Sequence, residues 1–220
     1  MTVLLRMTIK GLTRLSIFFC SLKAPSGSER PPYLNVHVEL PLLETLRVNY
    51  HNGLIVQRLL STWVLPSLKT LILDNPVIHA VLEDFWSMAG KALTRVEIGP
   101  GIQFRNHDYL SFCIKNCPVL EDLGFYVWAL QNPRRRRGHP TLQRVRIHLG
   151  QWAEYDLMDD SLLDTLLHDH LVKFNHSGMQ SLTTFDIRGS EHLGVYTGGF
   201  DWGGIEKQIV AEGREIVLHR

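Results

Sequence analysis

Three sets of side chains in this sequence have the types and spacing to do chemistry. Arg134-Arg135-Arg136-Arg137, between Pro133 and Gly138, is the densest charge. Four consecutive guanidiniums suit a phosphate-contacting or nuclear-localisation patch. No aromatic residues are interleaved to stack on bases, so nucleic acid is not the expected partner and a solvated loop is the competing reading. Asp164 and His168 stand four apart, with His170 and His176 nearby. On a helix that spacing shares a face, as metal ligands do. His-Glu-x-x-His is absent, however, no cysteine is close, and His168 falls on the polar flank of a leucine stripe, so exposure is expected. Cys113 and Cys117 are also four apart, within an apolar helical pattern where thiols are simply buried. No Gly-x-Ser-x-Gly elbow occurs, and the glycine-rich 194–204 segment lacks the strand-loop-helix frame of a phosphate loop. The expectation is a non-catalytic protein with no metal and no cofactor. A hydrolase with a site in 150–204 is the least favoured alternative.

Composition narrows the partners further. Lys and Arg number 23 against 22 Asp and Glu, so no global field draws the chain to nucleic acid or an anionic membrane. Three cysteines are too few for a disulfide framework and fit a reducing compartment, cytoplasmic or nuclear. Arg6, Lys10 and Arg14 interrupt the apolar start, so neither a signal-peptide core nor a membrane span is expected. At 45% apolar residues, 220 positions can bury a core as one domain or one continuous repeat stack.

The element that must position any site is a recurring phrase, Pro-x-Leu-x-x-Leu-x-Leu. It reads PLLETLRV from Pro41, PSLKTLIL from Pro66, PVLEDLGF from Pro118 and PTLQRVRI from Pro140. LTRVEI from Leu93 and LTTFDI from Leu182 repeat it without the proline. The anchors Leu43, Leu68, Leu93, Leu120, Leu142 and Leu182 are spaced by 25, 25, 27, 22 and 40 residues. A period of about 20–29 residues is that of leucine-rich repeats. Within each phrase the alternation is that of a short strand with one face buried. The proline, lacking an N–H, is expected at the strand start. The fold class predicted is an α/β leucine-rich-repeat solenoid of about six to eight irregular repeats, with a curved parallel sheet on the concave side. The convex side would carry short helices over 54–63, 79–88, 108–116 and 160–174, with Asp108 a candidate N-cap.

One domain spans 1–220: an irregular start and loop over 1–40, regular repeats over 41–150, and irregular repeats with a terminal edge strand over 151–220. Val36 to Leu40 alternates as an extra convex strand. Val3, Leu4, Leu5, Met7 and Ile9 form a first strand with no polar cap beyond it. Residues 205–212 form a helix ended by Gly213, and Glu215 to Leu218 the last strand.

Strand register turns one set of side chains outward on the concave face: Thr45, Arg47 and Asn49; Thr70, Ile72 and Asp74; Arg95, Glu97 and Gly99. Later strands add Asp122, Gly124 and Tyr126; Arg144, Arg146 and His148; Thr184, Asp186 and Arg188. This mixed charged surface, with a basic patch at Arg144 and Arg146, suits a peptide or protein.

The phrase, its crossover helices, Asn116-Cys117-Pro118-x-Leu120-x-x-Leu123 and the closing Glu212-Gly213-Arg214-Glu215-Ile216-Val217-Leu218 together resemble the leucine-rich-repeat region of fungal-type F-box proteins, over about residues 12–220. The resemblance implies substrate selection within a ubiquitin ligase, with an unidentified protein substrate on the concave face. The F-box that would dock the ligase adaptor is not legible, and the uncapped apolar start leads to the expectation of a truncated chain. The alternative is a free-standing repeat scaffold, nuclear through the arginine run. A further departure is the absence of Asn or Cys nine positions from each anchor, where His51, Pro76, Gly101, Trp128, Gly150 and Ser190 stand, so irregular turns are expected.

Overall fold

A computed structural model describes residues 4–8, 11–19, 35–50, 63–74, 85–99, 109–127, 138–149, 160–176, 178–189 and 202–219. The Arg134–Arg137 run, the 54–62 and 79–84 connections, Asp108, the ninth-position residues and the 190–201 glycine-rich stretch lie outside them.

The described strands are β1 (Leu4–Thr8), β2 (Arg14–Phe19), β3 (Asn35–Glu39), β4 (Thr45–Tyr50), β5 (Trp63–Val64), β6 (Thr70–Leu73), β7 (Arg95–Ile98), β8 (Asp122–Tyr126), β9 (Arg144–His148), β10 (Thr184–Arg188) and β11 (Glu215–His219). Eight of them form one sheet in the order β2-β4-β6-β7-β8-β9-β10-β11. Every pairing in it is parallel. The other three, β1-β3-β5, make a second parallel sheet. Strands β1 to β6 thus alternate between two sheets along the chain. From residue 85 onward, helical segments replace the second sheet's strands: residues 85–89, then α1 (Tyr109–Asn116), α2 (Asp160–Phe174) and α3 (Trp202–Ala211).

Register is conserved across the whole large sheet. Thr45, Thr70, Arg95, Asp122, Arg144, Thr184 and Glu215 stand side by side in one row. One residue on, Leu46, Leu71, Val96, Leu123, Val145 and Phe185 are all fully buried. Two further on, Val48, Leu73, Ile98, Phe125, Ile147 and Ile187 are buried as well. A one-residue slip of any strand would exchange that face for the polar one.

The proline of each phrase lies four residues before the strand start, in the turn that precedes the strand: Pro41, Pro66, Pro118 and Pro140 precede Thr45, Thr70, Asp122 and Arg144. The N–H of Leu43, Leu68, Leu120 and Leu182 donates to the carbonyl three residues back, on Leu40, Leu65, Cys117 and Met179. Pro41, Pro66 and Pro118 occupy the second turn position, where a φ near −65° is needed. Before Leu142 the carbonyl is replaced by an imidazole: the Leu142 N–H donates to His139 Nδ1 at 3.1 Å. The third turn position reaches back to the previous coil, Ser67 Oγ donating to the Pro41 carbonyl at 2.6 Å and Thr141 Oγ to that of Pro118 at 3.2 Å. Ser181 Oγ donates likewise to the Pro140 carbonyl.

Two other expectations change. Trp63, expected to end a helix, is in strand β5. The first apolar segment does form a strand, but β1 joins β3 in the second sheet. Residues 160–174, the 109–116 helix and the last strand fall where the periodicity puts them, and Gly213, at φ 74°, ends α3 in the left-handed region.

The helical layer seals the core. His170 on α2 is buried against Phe125, ring centroids 4.7 Å apart, and its Nε2 is 3.3 Å from the Val127 carbonyl. Arg214, also buried, clamps the 175–182 turn, donating to the carbonyls of Leu182, His176 and Met179 and to Asn175 Oδ1.

Two outcomes test this packing. Leu71→Ala, which empties a fully buried site in mid-stack, should cost about 2–5 kcal/mol in denaturant unfolding. Burial, reinforced by the Lys173 charge, lowers the His170 pKa from 6.5 to about 3. Between those values the unfolded chain holds a proton that the folded chain refuses, so stability is full above about pH 6.5 and falls below it. The loss is at most about 1.4 kcal/mol per pH unit for one such group. Burial pushes His139 and His148 the same way. Unfolding compared at pH 7.5 and 5.5 should show this loss, reduced in His170→Leu; an equal loss in the variant contradicts the assignment.

Candidate functional site

The rows that point away from the helices carry a network of alternating charges. Each strand contributes to it at the same register positions, because outward residues recur every second position along β4 to β11. Arg47 on β4 donates through Nε and Nη2 to both oxygens of Asp74, just after β6, at 2.7 and 3.0 Å. Arg95 on β7 donates from Nη2 to Glu97 at 3.0 Å, and its Nε is 4.0 Å from Asp122 on β8. On β10, Arg188 grips Asp186 through Nε and Nη2, both at 3.3 Å. His219 on β11 stands 3.2 Å from Asp186.

The centre is Arg146, whose side chain is only 2% exposed. Its neighbour in the row on β8 is Gly124, and the missing side chain lets the guanidinium lie across that strand. It thereby reaches Asp122 at 2.8 Å and, one strand further, Glu97 on β7 at 3.2 Å. A Cβ at Gly124 would stand 3.3 Å from Glu97 Cγ and 3.4 Å from Arg146 Nη2. Arg146 Nη2 itself is buried with no hydrogen-bond acceptor among the described residues. Tyr126 and His148 stack beside the cluster, ring centroids 4.8 Å apart.

These distances correct the expected basic patch. Arg144 is exposed, but Arg146 is buried and neutralised by two carboxylates. Asp74 and Asp186, expected as free outward groups, are buried under Arg47 and Arg188. Gly99 offers no side chain and lies against the Asp74 backbone, where a Cβ would be 2.5 Å from its Cα. Asn49 and Ile72 are half-buried between the charged positions.

The electrostatics follow from burial and pairing. Burial alone would raise the Glu97 carboxyl, but the Arg146 charge, the Arg95 hydrogen bond and His148 outweigh it and hold it below the usual range. Burial, with Arg146 and Arg188, lowers His148 despite Glu97 and Asp186, so its 3.8 Å contact with Glu97 is between a neutral imidazole and a carboxylate near pH 7. The hydrogen bonds to Asp74 and Asp186 raise Arg47 and Arg188, which stay charged at any working pH. Burial raises Tyr126.

The other sequence candidates disperse. His168 is exposed beside Asp169, His170 is in the core, and His176 Nδ1 accepts the Gly178 N–H at 3.1 Å. Among the described residues no His, Cys, Asp and Glu group is arranged to hold a metal ion. Cys113 and Cys117 are buried and unbridged, and burial pushes the Cys117 thiol up to about 12, too high for a nucleophile. His139 and Arg214 escaped sequence reading; a His and an Arg beside a turn carry no periodic signal. A separate apolar pocket of about 200 Å³ lies where strand gives way to helix, lined by Trp63, Leu65, Phe85 and Met88 among others.

No family model matches the chain, and neither a curated protein nor a solved structure is significantly similar to it. The site therefore has to be read from its own chemistry.

Arg146→Met leaves Glu97 and Asp122 facing an apolar side chain. Because both carboxylates keep some solvent, the loss should be near the lower end for a broken buried pair, about 3 kcal/mol. Adding Glu97→Gln and Asp122→Asn should recover much of it. A double-mutant cycle in urea unfolding measures the coupling, and additivity would show that the guanidinium is not held by these two groups.

Proposed function

We infer that this chain is a binding module of leucine-rich-repeat type, taking a protein partner on the polar face of its large sheet. The observation that carries this is the charge network itself. It recurs from β4 to β11 on the face opposite the helices as three clusters of paired charges: Arg47 with Asp74; Arg95, Glu97, Asp122 and Arg146; and Arg188, Asp186 and His219. Stacked repeats characteristically present their strand face to partners, because identical spacing sets side chains in rows. An enzyme would need a nucleophile, a base or a metal converging on one point. Here the titratable groups pair off with one another across the face, an arrangement that suits recognition over an extended area. Among the side chains described on this face, Tyr126 and His148 form one stacked pair amid charged groups, which suits a polar partner rather than an apolar ligand.

The in-order parallel strands and the 25, 25, 27 and 22-residue spacing support the solenoid reading with this face concave. The repeat phrase and closing strand support a narrower role, substrate selection in an F-box ubiquitin ligase. That role requires an F-box to dock the adaptor; a chain that binds its partner without any adaptor is the free-standing scaffold.

A photo-reactive amino acid placed at Thr70 or Arg144, on the network face, should yield protein adducts in cells. The same label at Glu206 or Lys207, exposed on α3, should not. Adducts from α3 alone would move the interface off the sheet and end this reading.

A further inference from the structure

The exposures within the charge network are unequal in a consistent direction. The side chains of Arg47, Arg95 and Arg188 are 47%, 41% and 45% exposed, whereas their partners Asp74, Glu97 and Asp186 are 10%, 20% and 7% exposed. The carboxylates therefore form a floor, and guanidiniums form the layer that a partner meets. The manner of pairing matters as much. Asp74 and Asp186 hold Arg47 and Arg188 by the Nε–Nη2 edge in the same side-on geometry. That leaves the Nη1 end of each without an acceptor among the described residues, turned away from the floor. A guanidinium held on one edge keeps its plane fixed, so its remaining N–H groups lose little freedom on binding a second oxyanion.

We propose that these three exposed guanidiniums, Arg47 and Arg188 anchored on one edge and Arg95 through Nη2 to Glu97, recognise an acidic peptide segment running across the strands. The proposal rests on the strand-face reading above and names the partner's chemistry. Arg47 reaches over to β6, Arg95 stays on β7 and Arg188 on β10. The three heads thus span four strand spacings, about 19 Å, which is the length of about six extended residues. The matching segment has two acidic side chains close together at one end and a third about four residues on, opposite β10. Carboxylates fit the forks bidentately. A nucleic-acid strand fits less well: its continuous phosphates would lie over the floor carboxylates as well as the forks.

Selection of a random-peptide display library, peptides of about ten residues, on the full chain tests this directly. Enriched peptides should carry Asp or Glu at the stated spacing. Fluorescence anisotropy with the best of them should show loss of about tenfold for each of Arg47→Gln, Arg95→Gln and Arg188→Gln. Lys207→Gln, on α3, should leave binding unchanged. The decisive variant is Asp186→Asn, with retained folding checked by thermal melting. It raises the positive charge of the face, so plain electrostatic attraction predicts tighter binding of an acidic peptide, whereas an oriented Arg188 predicts weaker binding. Tighter binding overturns the anchoring. Enrichment of neutral or basic peptides, or displacement of the peptide by oligothymidine of similar length, overturns the acidic-peptide partner. If adducts still form from Thr70 and Arg144 in that case, the face remains an interface for a different chemistry; if none form, both readings fall.

Discussion

The whole molecule depends on the fact that a parallel strand has no local partner. Each strand of the large sheet must find its hydrogen bonds on a neighbouring strand remote in sequence, and all of them do so in one register. Even outside the strands the ladder continues: the Glu44, Lys69, Thr94, Glu121, Gln143 and Thr183 N–H groups, each just before a strand, donate to the segment before the neighbouring strand. A backbone donor buried without an acceptor would cost as much as a lost hydrogen bond. Shifting one coil therefore breaks many bonds at once. The buried leucines give that register its energy, because only one alignment puts all of them on the helix side.

The polar face is a consequence of the same stacking. Rows of outward side chains stand about 4.8 Å apart from strand to strand, close enough that like charges in one row would repel. The observed solution is alternation, with Arg, Asp and Glu on neighbouring strands or two positions apart on one strand. Arg146 shows the geometric limit. It is buried only because Gly124 leaves the space that its guanidinium crosses to reach Glu97 and Asp122. Stability and surface chemistry are therefore coupled in this cluster: the carboxylates that neutralise the buried Arg146 also hold the more exposed Arg95.

Much of this was legible from periodicity. The strands starting at Thr45, Thr70, Arg95, Asp122, Arg144 and Thr184 follow from alternation after each anchor leucine, and the stripe of leucines over 160–174 marks α2. The prolines were visible but belong to the turn four residues before each strand rather than to its start, since a missing N–H is tolerated both at a strand start and at the second turn position. Trp63, expected at the end of a helix, lies in β5 instead, because a short apolar run fits helix and strand spacing alike. What surrounds it decides: in the early coils β1, β3 and β5 pair with one another, and a strand needs such neighbours whereas a helix does not.

Local sequence, then, determined which residues alternate, where the chain turns, and which side chains share the outward face, because those properties depend on spacings of two to four residues. Tertiary structure alone decided which outward residues are free. Arg144 and Arg146 are two apart and chemically identical, yet one is exposed and the other is sealed between two carboxylates 24 and 49 residues away. The same holds for Asp74 and Asp186, hidden beneath their arginines, and for His139, whose imidazole replaces a turn carbonyl. Each of these states is set by what the neighbouring coil or turn supplies, through contacts that no alternation pattern records.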